Sequence, residues 1–339
     1  PRPTRELPSD METKILPVDS VSLKLARDII TEGGAVAFPT ETVYGLGANA
    51  FSEEAVKNIF SIKGRPNDNP LIVHVHSDYD ISTLVSYVPD YAKKLAKKFL
   101  PGPLTLVYKS CNKVAKAVSC GLDTLAVRIP SHEGAQRFLR YVDMPIAAPS
   151  ANISKHVSPV SAEHVYTDLN GRVGLILDGG RCTGGIESTV LDCTGEVPVI
   201  LRSGLVTRGM IADAVGACEV YKMREGEAAR SPGMKYKHYS PDCKTMLFED
   251  ATEAVDEYFR QTANGVKTYI MCDGATARGL RVENILNLGD GAEEIAAQLY
   301  EKLREGERVA QLIIAVSPKQ RDGVMVGVMN RLEKACRGQ

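Results

Sequence analysis

Short apolar runs separated by amphipathic stretches constrain this chain's fold more than any other feature. AVAF, LIVHV, PLTLVYK, LAVRIP, PIAAP, GLILDGG, STVLDC and PVILRSG are each too short for a buried helix. Gly, Pro, Asp or Asn bounds most of them, as is usual for strands. Between them apolar residues return at helical spacing. Ser20 is placed to cap a helix with Val21, Leu25 and Ile29 on one face and Gly33-Gly34 at its end. Ser52, followed by Glu53 and Glu54, opens a second helix in which Val56, Ile59 and Phe60 face a core and which stops at Gly64. PDYAKKLAKKF, the segment from His132 to Tyr141, one near Ser161 and a short one from Thr207 read as further helices. The sum is about seven strands mixed with helices, an α/β sheet domain with mixed strand directions.

Past residue 220 the pattern changes. YKMREGEAARSPGMKYKHYSP is basic, poor in apolar residues and punctuated by Pro and Gly, which reads as a linker. Beyond it TMLFE, Glu253 to Gln261, KTYIM, Glu293 to Arg304, AQLIIAV and Val324 to Lys334 alternate strand with helix. That alternation predicts a smaller, Rossmann-like parallel α/β domain. The expected division is 15–220, a linker over 221–242 that contacts the active site, and 243–339.

Over 339 residues the net charge is -1, so no global field draws nucleic acid or a membrane, and a polyanionic partner would need a local patch. PRPTRELPSD has no apolar h-region and no uncharged run reaches membrane-span length, so a cytoplasmic protein is expected. The eight cysteines form no CxxC, and Cys111/Cys120 and Cys182/Cys193 lack zinc-ribbon spacing. Buried thiols in a reducing compartment are the expectation.

Candidate chemistry concentrates between Phe38 and His76, where Thr, Gly, Pro, Asn, Lys and Arg crowd between two apolar strands. Gly45 to Ala50 matches GxGxxA, but six residues, Pro39 to Tyr44, separate the strand from the first Gly. A dinucleotide fingerprint needs a tight strand-to-helix turn, so a turn in which Gly supplies positive φ is the preferred reading. There is no GxxxxGK[ST] and no GxSxG. Lys63, Arg65, Arg128 and Arg202 each end an apolar element beside Pro or Gly, positions that suit a phosphate or carboxylate pocket. His74 and His76 share a strand face without a further ligand cluster, so strand-face histidines are expected rather than a metal site. Ser150, Asn152 and Ser158 in PSANISKHVSP, and Glu187-Ser188-Thr189, taken alone are a capped loop and a strand opening.

Taken together and in order, FPTETVYGLGANAF, KGRPNDNPLIVHV, LPGPLTLV, LAVRIPSH, PIAAPSANISKHVSP, GGIESTVLD and ILRSG resemble the YrdC-domain family, the L-threonylcarbamoyladenylate synthases, over Leu16 to Ala217. SPGMKYKHYSP and the α/β segment after it are similar to the long form with a C-terminal accessory domain. The resemblance implies a YrdC-like twisted mixed sheet and the condensation of L-threonine, bicarbonate or CO2, and ATP into threonylcarbamoyl-AMP and pyrophosphate. That product serves tRNA threonylcarbamoyladenosine modification, with the tRNA threonylcarbamoyl-transferase machinery as downstream partner. Mg2+ would come through the ATP phosphates, with no side-chain metal site.

The resemblance further implies Lys63 and Arg65 as the catalytic pair at the phosphates and bicarbonate. Thr42, His74, Arg128, the backbone of Ala148 and Ser188 would surround L-threonine. Arg65, Asn69, Thr124, Ser150, Asn152, Ser158 and Arg202 would surround ATP, with Tyr239 of the linker closing over it. Thr40 and Tyr44 lie nearby without an assigned role. Some members carry Ser or Cys where this chain has Ala147-Ala148, a change to which a backbone contact is indifferent. A non-catalytic RNA-binding or ribosome-maturation factor of the same fold is the alternative, favoured by the basic linker and KKLAKK, and weak RNA binding is compatible with either reading. A carbamoyl-phosphate-type transferase or hydrolase is a third, against which KGRPNDN and Ser188 speak.

Overall fold

The computed structural model describes residues 11–222 and 239–336, so most of the expected linker lies outside the described residues. The chain begins β1 (Lys14–Pro17), α1 (Ser20–Thr31), β2 (Val36–Phe38), β3 (Gly45–Asn49), α2 (Glu53–Lys63) and β4 (Ile72–His74). It continues through α3 (Asp90–Phe99), β5 (Leu104–Lys109), α4 (Lys116–Ser119), β6 (Thr124–Arg128), α5 (Glu133–Val142) and β7 (Ile146–Ala148). Then come α6 (Ala162–Leu169), β8 (Leu175–Asp178), β9 (Thr189–Asp192), β10 (Val199–Arg202), α7 (Arg208–Val215) and β11 (Glu219–Val220). These strands form one eleven-stranded mixed sheet in the order β1-β8-β2-β3-β7-β4-β6-β5-β9-β10-β11. The expected mixed directions are present: β3 is antiparallel to β2 and β7, whereas β4 runs parallel to β6.

The sheet has more strands than the apolar runs suggested. Short edge strands β1 and β11 carry weak patterns, and β3 falls on the glycine-rich GLGAN, read from sequence as a turn. That reading is corrected: neither Gly45 nor Gly47 has positive φ. Glycine is required there by packing. A Cβ on Gly47 would stand 2.5 Å from Ile146 Cγ2 and 2.9 Å from the Phe38 ring, because β3 is sandwiched between bulky neighbours. The expected start and face of α1 are also corrected. Asp19, not Ser20, caps the helix by accepting from the Val21 and Ser22 amides, and Leu23, Ala26 and Ile30 are its buried apolar residues, while Val21 is 73% exposed. A one-residue error in the cap rotates the assigned face by about 100°. For α2 the reading holds: Ser52 accepts from the Ala55 amide, Val56, Ile59 and Phe60 are buried, and Gly64 ends the helix at φ 59.

The C-terminal part is β12 (Lys244–Phe248), α8 (Ala251–Ala263), β13 (Thr268–Cys272), α9 (Gly274–Gly279), β14 (Ile285–Asn287), α10 (Ala292–Val309), β15 (Leu312–Val316) and α11 (Met325–Cys336). Its four strands are all parallel in the order β12-β15-β13-β14, as the alternating pattern required. On one side α8 covers this small sheet through Ala254 and Tyr258. On the other, α10 and α11 bring Ile295, Ala296, Leu299, Tyr300, Val328 and Leu332 into the same apolar cluster as Ile186, Tyr44 and the inner face of the large sheet.

The two sheets are therefore joined by a shared core, not merely tethered. Gly185 shows how closely they meet: its φ is +72, and a Cβ there would lie 2.4 Å from the Ala296 carbonyl oxygen of α10. Buried ion pairs cross the same boundary, Arg304 of α10 to Asp168 of α6 at 2.6 Å and Arg331 of α11 to Glu187 at 3.1 Å. No helix among the described residues is long and apolar enough to cross a membrane.

Candidate active site

Residues far apart in the chain converge on one cavity over the strand ends of the large sheet. Parallel pairing of β4 with β6 puts His74 opposite Arg128, and antiparallel pairing of β4 with β7 sets Ile72 opposite Ala148. His74, Arg128 and Ala148 thus reach the cavity from three adjacent strands. Arg65 follows α2, Ser150, Asn152 and Ser158 come from the loop after β7, Ser188 precedes β9 and Arg202 ends β10. Tyr239, at the far end of the linker, completes the wall. Thr40, Tyr44, His156 and Glu187 also line it.

Four sequence-predicted residues do not line it. Thr42 is fully buried and accepts from Arg128 Nη1 at 2.8 Å, while Arg128 Nη2 donates to Glu41 at 2.7 Å, so the pair orients the guanidinium from behind. Lys63 is 2% exposed, and its Nζ donates to the backbone carbonyls of Ser150 and Asn152. Asn69 is buried, and its backbone carbonyl accepts from Arg65 Nη2 at 3.1 Å. Thr124 lines a separate cavity with Val107, Asp192 and Leu201, on the face of β6 that carries Ala126 and Arg128. An apolar strip of Ile72, Val107, Ala126, Val190 and Leu201 covers the sheet between Thr124 and the main cavity.

The electrostatics suit an anionic guest. Burial pushes Lys63 well below the usual lysine range, with Arg65 adding to the effect, and burial brings Arg65 down to about 10. Burial, and then the neighbouring Arg128, push His74 down to about 3, so its imidazole is neutral at physiological pH, with Nδ1 placed 3.0 Å from the Ile72 carbonyl oxygen. Around the cavity Arg65 Nε, Arg128 Nε, Asn69 Oδ1 and Glu41 Oε2 are buried without a hydrogen-bond partner. Such atoms each cost about 1–3 kcal/mol when left so; Arg304 Nε and Arg331 Nη2, at the boundary between the two sheets, are in the same condition.

Sequence reasoning named Glu187 only as part of a strand opening and gave it no role in the site. The carboxylate accepts from Ser158 Oγ at 2.6 Å, from the Tyr300 hydroxyl at 2.9 Å and from Arg331 Nε at 3.1 Å. Arg331 and Arg304 were missed as well. A usable signal existed: each is a cation at i+4 or i+3 from buried Tyr300 or Val328, on an apolar helix stripe where a surface residue would not fall.

A family profile described as "Telomere recombination", for the Sua5/YciO/YrdC domain, matches residues 28–204. A second, described as "Threonylcarbamoyl-AMP synthase, C-terminal domain", matches 206–336. The threonylcarbamoyl-AMP synthase of Pyrococcus abyssi is 41% identical over 322 residues, covering 94% of this chain and 95% of the relative. That of Bacillus subtilis is 40% identical over 334 residues and covers 96% of each. Among solved structures, P. abyssi Sua5 complexed with L-threonine matches with a TM-score of 0.87 at 40% identity, over 96% of this chain and 97% of that one. The chain belongs to the Sua5/YciO/YrdC family and carries the C-terminal domain of its threonylcarbamoyl-AMP synthases.

Proposed function

We propose that the cavity makes threonylcarbamoyl-AMP from L-threonine, bicarbonate or CO2, and ATP, with Arg65 as the central cation and Lys63 supporting it from behind the Ser150–Asn152 loop. The threonine amine adds to CO2 and loses a proton, forming a carbamate. One carbamate oxygen attacks the α-phosphorus, the bond to the bridging oxygen breaks, and pyrophosphate leaves. No protein nucleophile is needed, so catalysis is positioning plus neutralisation of phosphate charge. This matches a cavity rich in guanidinium and hydroxyl groups in which the strand histidine, His74, is neutral.

His74, Arg128, Ser188 and the Ala148 backbone form the threonine end, with Thr42 holding Arg128 in place. Arg65, Ser150, Asn152, Ser158, Arg202 and Tyr239 form the nucleotide end, backed by Asn69. The adenine lies along the apolar strip toward Thr124. Lys63 acts through the Ser150–Asn152 loop that it staples. Mg2+ arrives on the triphosphate as part of the substrate and neutralises phosphate charge. The product passes to tRNA-modifying machinery in the cytoplasm.

The observation that carries the reading is the meeting of segments from Thr40 to Tyr239 in one cavity, in a chain about 40% identical to named synthases over nearly its whole length. Purified protein should release pyrophosphate and form an AMP adduct only when L-threonine and bicarbonate are both present. Threonine-independent pyrophosphate release would sink the proposal, and salt-dependent RNA affinity without this chemistry would select the RNA-binding alternative.

A further inference from the structure

Glu187 poses a problem for the proposed chemistry. It is the one carboxylate lining the cavity among the described residues, and the cavity is to hold a triphosphate. An unscreened negative charge there would oppose binding and would draw Arg202 toward itself. Both carboxylate oxygens are instead engaged: Oε1 by Ser158, Oε2 by Tyr300 of α10 and Arg331 of α11. Arg331 has no exposed surface, and its Nη1 also donates to the Ser203 carbonyl at 2.5 Å and the Gly327 carbonyl at 3.3 Å. Its guanidinium lies 5.9 Å from the Tyr239 ring, which stacks on Tyr300 at 5.4 Å. Arg202 donates to the Ser188 carbonyl and hydroxyl, and lies close enough for its charge to act on Glu187 as well.

We propose that Arg331 is a positioning residue supplied by the C-terminal domain: it neutralises Glu187, so that Arg202 stays on Ser188 and the cavity accepts the nucleotide's phosphates. The inference rests on the reading of this cavity as a nucleotide site. It gives the C-terminal domain a chemical part in the reaction, because removing that domain's charge would turn Glu187 from a strut into a repulsive group. It also explains why one carboxylate binds groups from three separate parts of the chain, the Ser158 loop, α10 and α11.

The test is a charge-rescue cycle read by calorimetric titration of MgATP and, separately, of L-threonine. Arg331→Met should raise the MgATP Kd by at least about tenfold while L-threonine stays within about twofold, because the uncompensated charge faces the phosphates. Adding Glu187→Gln should restore MgATP affinity to within about threefold of wild type, since the repulsive charge goes with its partner. A merely structural Arg331 would not be rescued that way. A double variant as weak as the single one, or a well-folded Arg331→Met that binds MgATP like wild type, overturns the proposal. Should Arg331→Met fail to fold, the double variant is compared with Glu187→Gln alone: equal MgATP affinity supports neutralisation, and a further loss refutes it. Because binding is measured rather than turnover, a wild-type protein that binds MgATP but makes no product would defeat the synthase reading while leaving this one intact.

Discussion

Lys63 and Arg65 are two residues apart, yet the structure gives them different surroundings. The left-handed Gly64 between them, at φ 59, turns the chain, so Lys63 points back under the Ser150–Asn152 loop and Arg65 forward into the cavity. The sequence placed both at a helix-to-loop junction, but which of them faces a ligand depends on that single dihedral and on carbonyls some 90 residues away. Their substitutions should therefore separate. Arg65→Ala should lower turnover by about 100-fold or more while leaving the denaturant midpoint near wild type, because among the described residues its guanidinium donates only to the Asn69 and Pro70 carbonyls of its own loop. Lys63→Ala should lower both, since the Ser150 and Asn152 carbonyls lose a buried donor, at about 1–3 kcal/mol. Pyrophosphate release and urea titration on the same preparations check this pair. A Lys63→Ala protein with wild-type stability and no turnover would put Nζ on the substrate instead.

Among the elements, legibility followed how local the cause was. The Ser52 cap, the buried face of α2 and the Gly64 stop all lie within one helix and were readable. The α1 face was not, because the reading placed the cap on Ser20 where Asp19 holds it, and the buried face is the one that packs on α5 through Leu23, Ala26, Phe138 and Leu139. Strand β3 was hidden for a similar reason. Its glycines carry no apolar pattern, and they are there because Phe38 of β2, with Ile146 and Ala148 of β7, crowds the space that a Cβ would take. Gly47→Ala should cost about 1–3 kcal/mol by overpacking, seen as a lower urea midpoint with an unchanged m-value. Because β3 pairs with β7 ahead of the Ser150 loop, turnover should fall as well. A stable, fully active Gly47→Ala protein would show that the contact relaxes without moving the strand.

At the scale of the whole molecule, the second, parallel sheet was legible in the alternation of strand and helix toward the C-terminus, but its docking on the large sheet was not. It depends on Arg304 and Arg331, which sequence convention assigns to helix surfaces, and on buried acids far away, Asp168 and Glu187. The Glu187 contact gives that docking a pH dependence of known sign. Burial on its own would raise this carboxyl; Arg331, then Arg202, then the Ser158 hydroxyl outweigh it and hold the group at about 2, below its ordinary 4.5. A carboxyl lowered by folding adds stability that is fully present above the unfolded value and disappears as pH falls toward the folded one. Docking should thus be intact at pH 6 and weaken progressively between about 4.5 and 2. Urea midpoints measured from pH 6 down to pH 3 should fall more steeply in the wild type than in Glu187→Gln, whose amide has no proton to gain. Parallel slopes in the two proteins would mean that other carboxylates carry the acid response. They would also mean that Glu187 is anchored by its hydrogen bonds to Ser158 and Tyr300 more than by its charge.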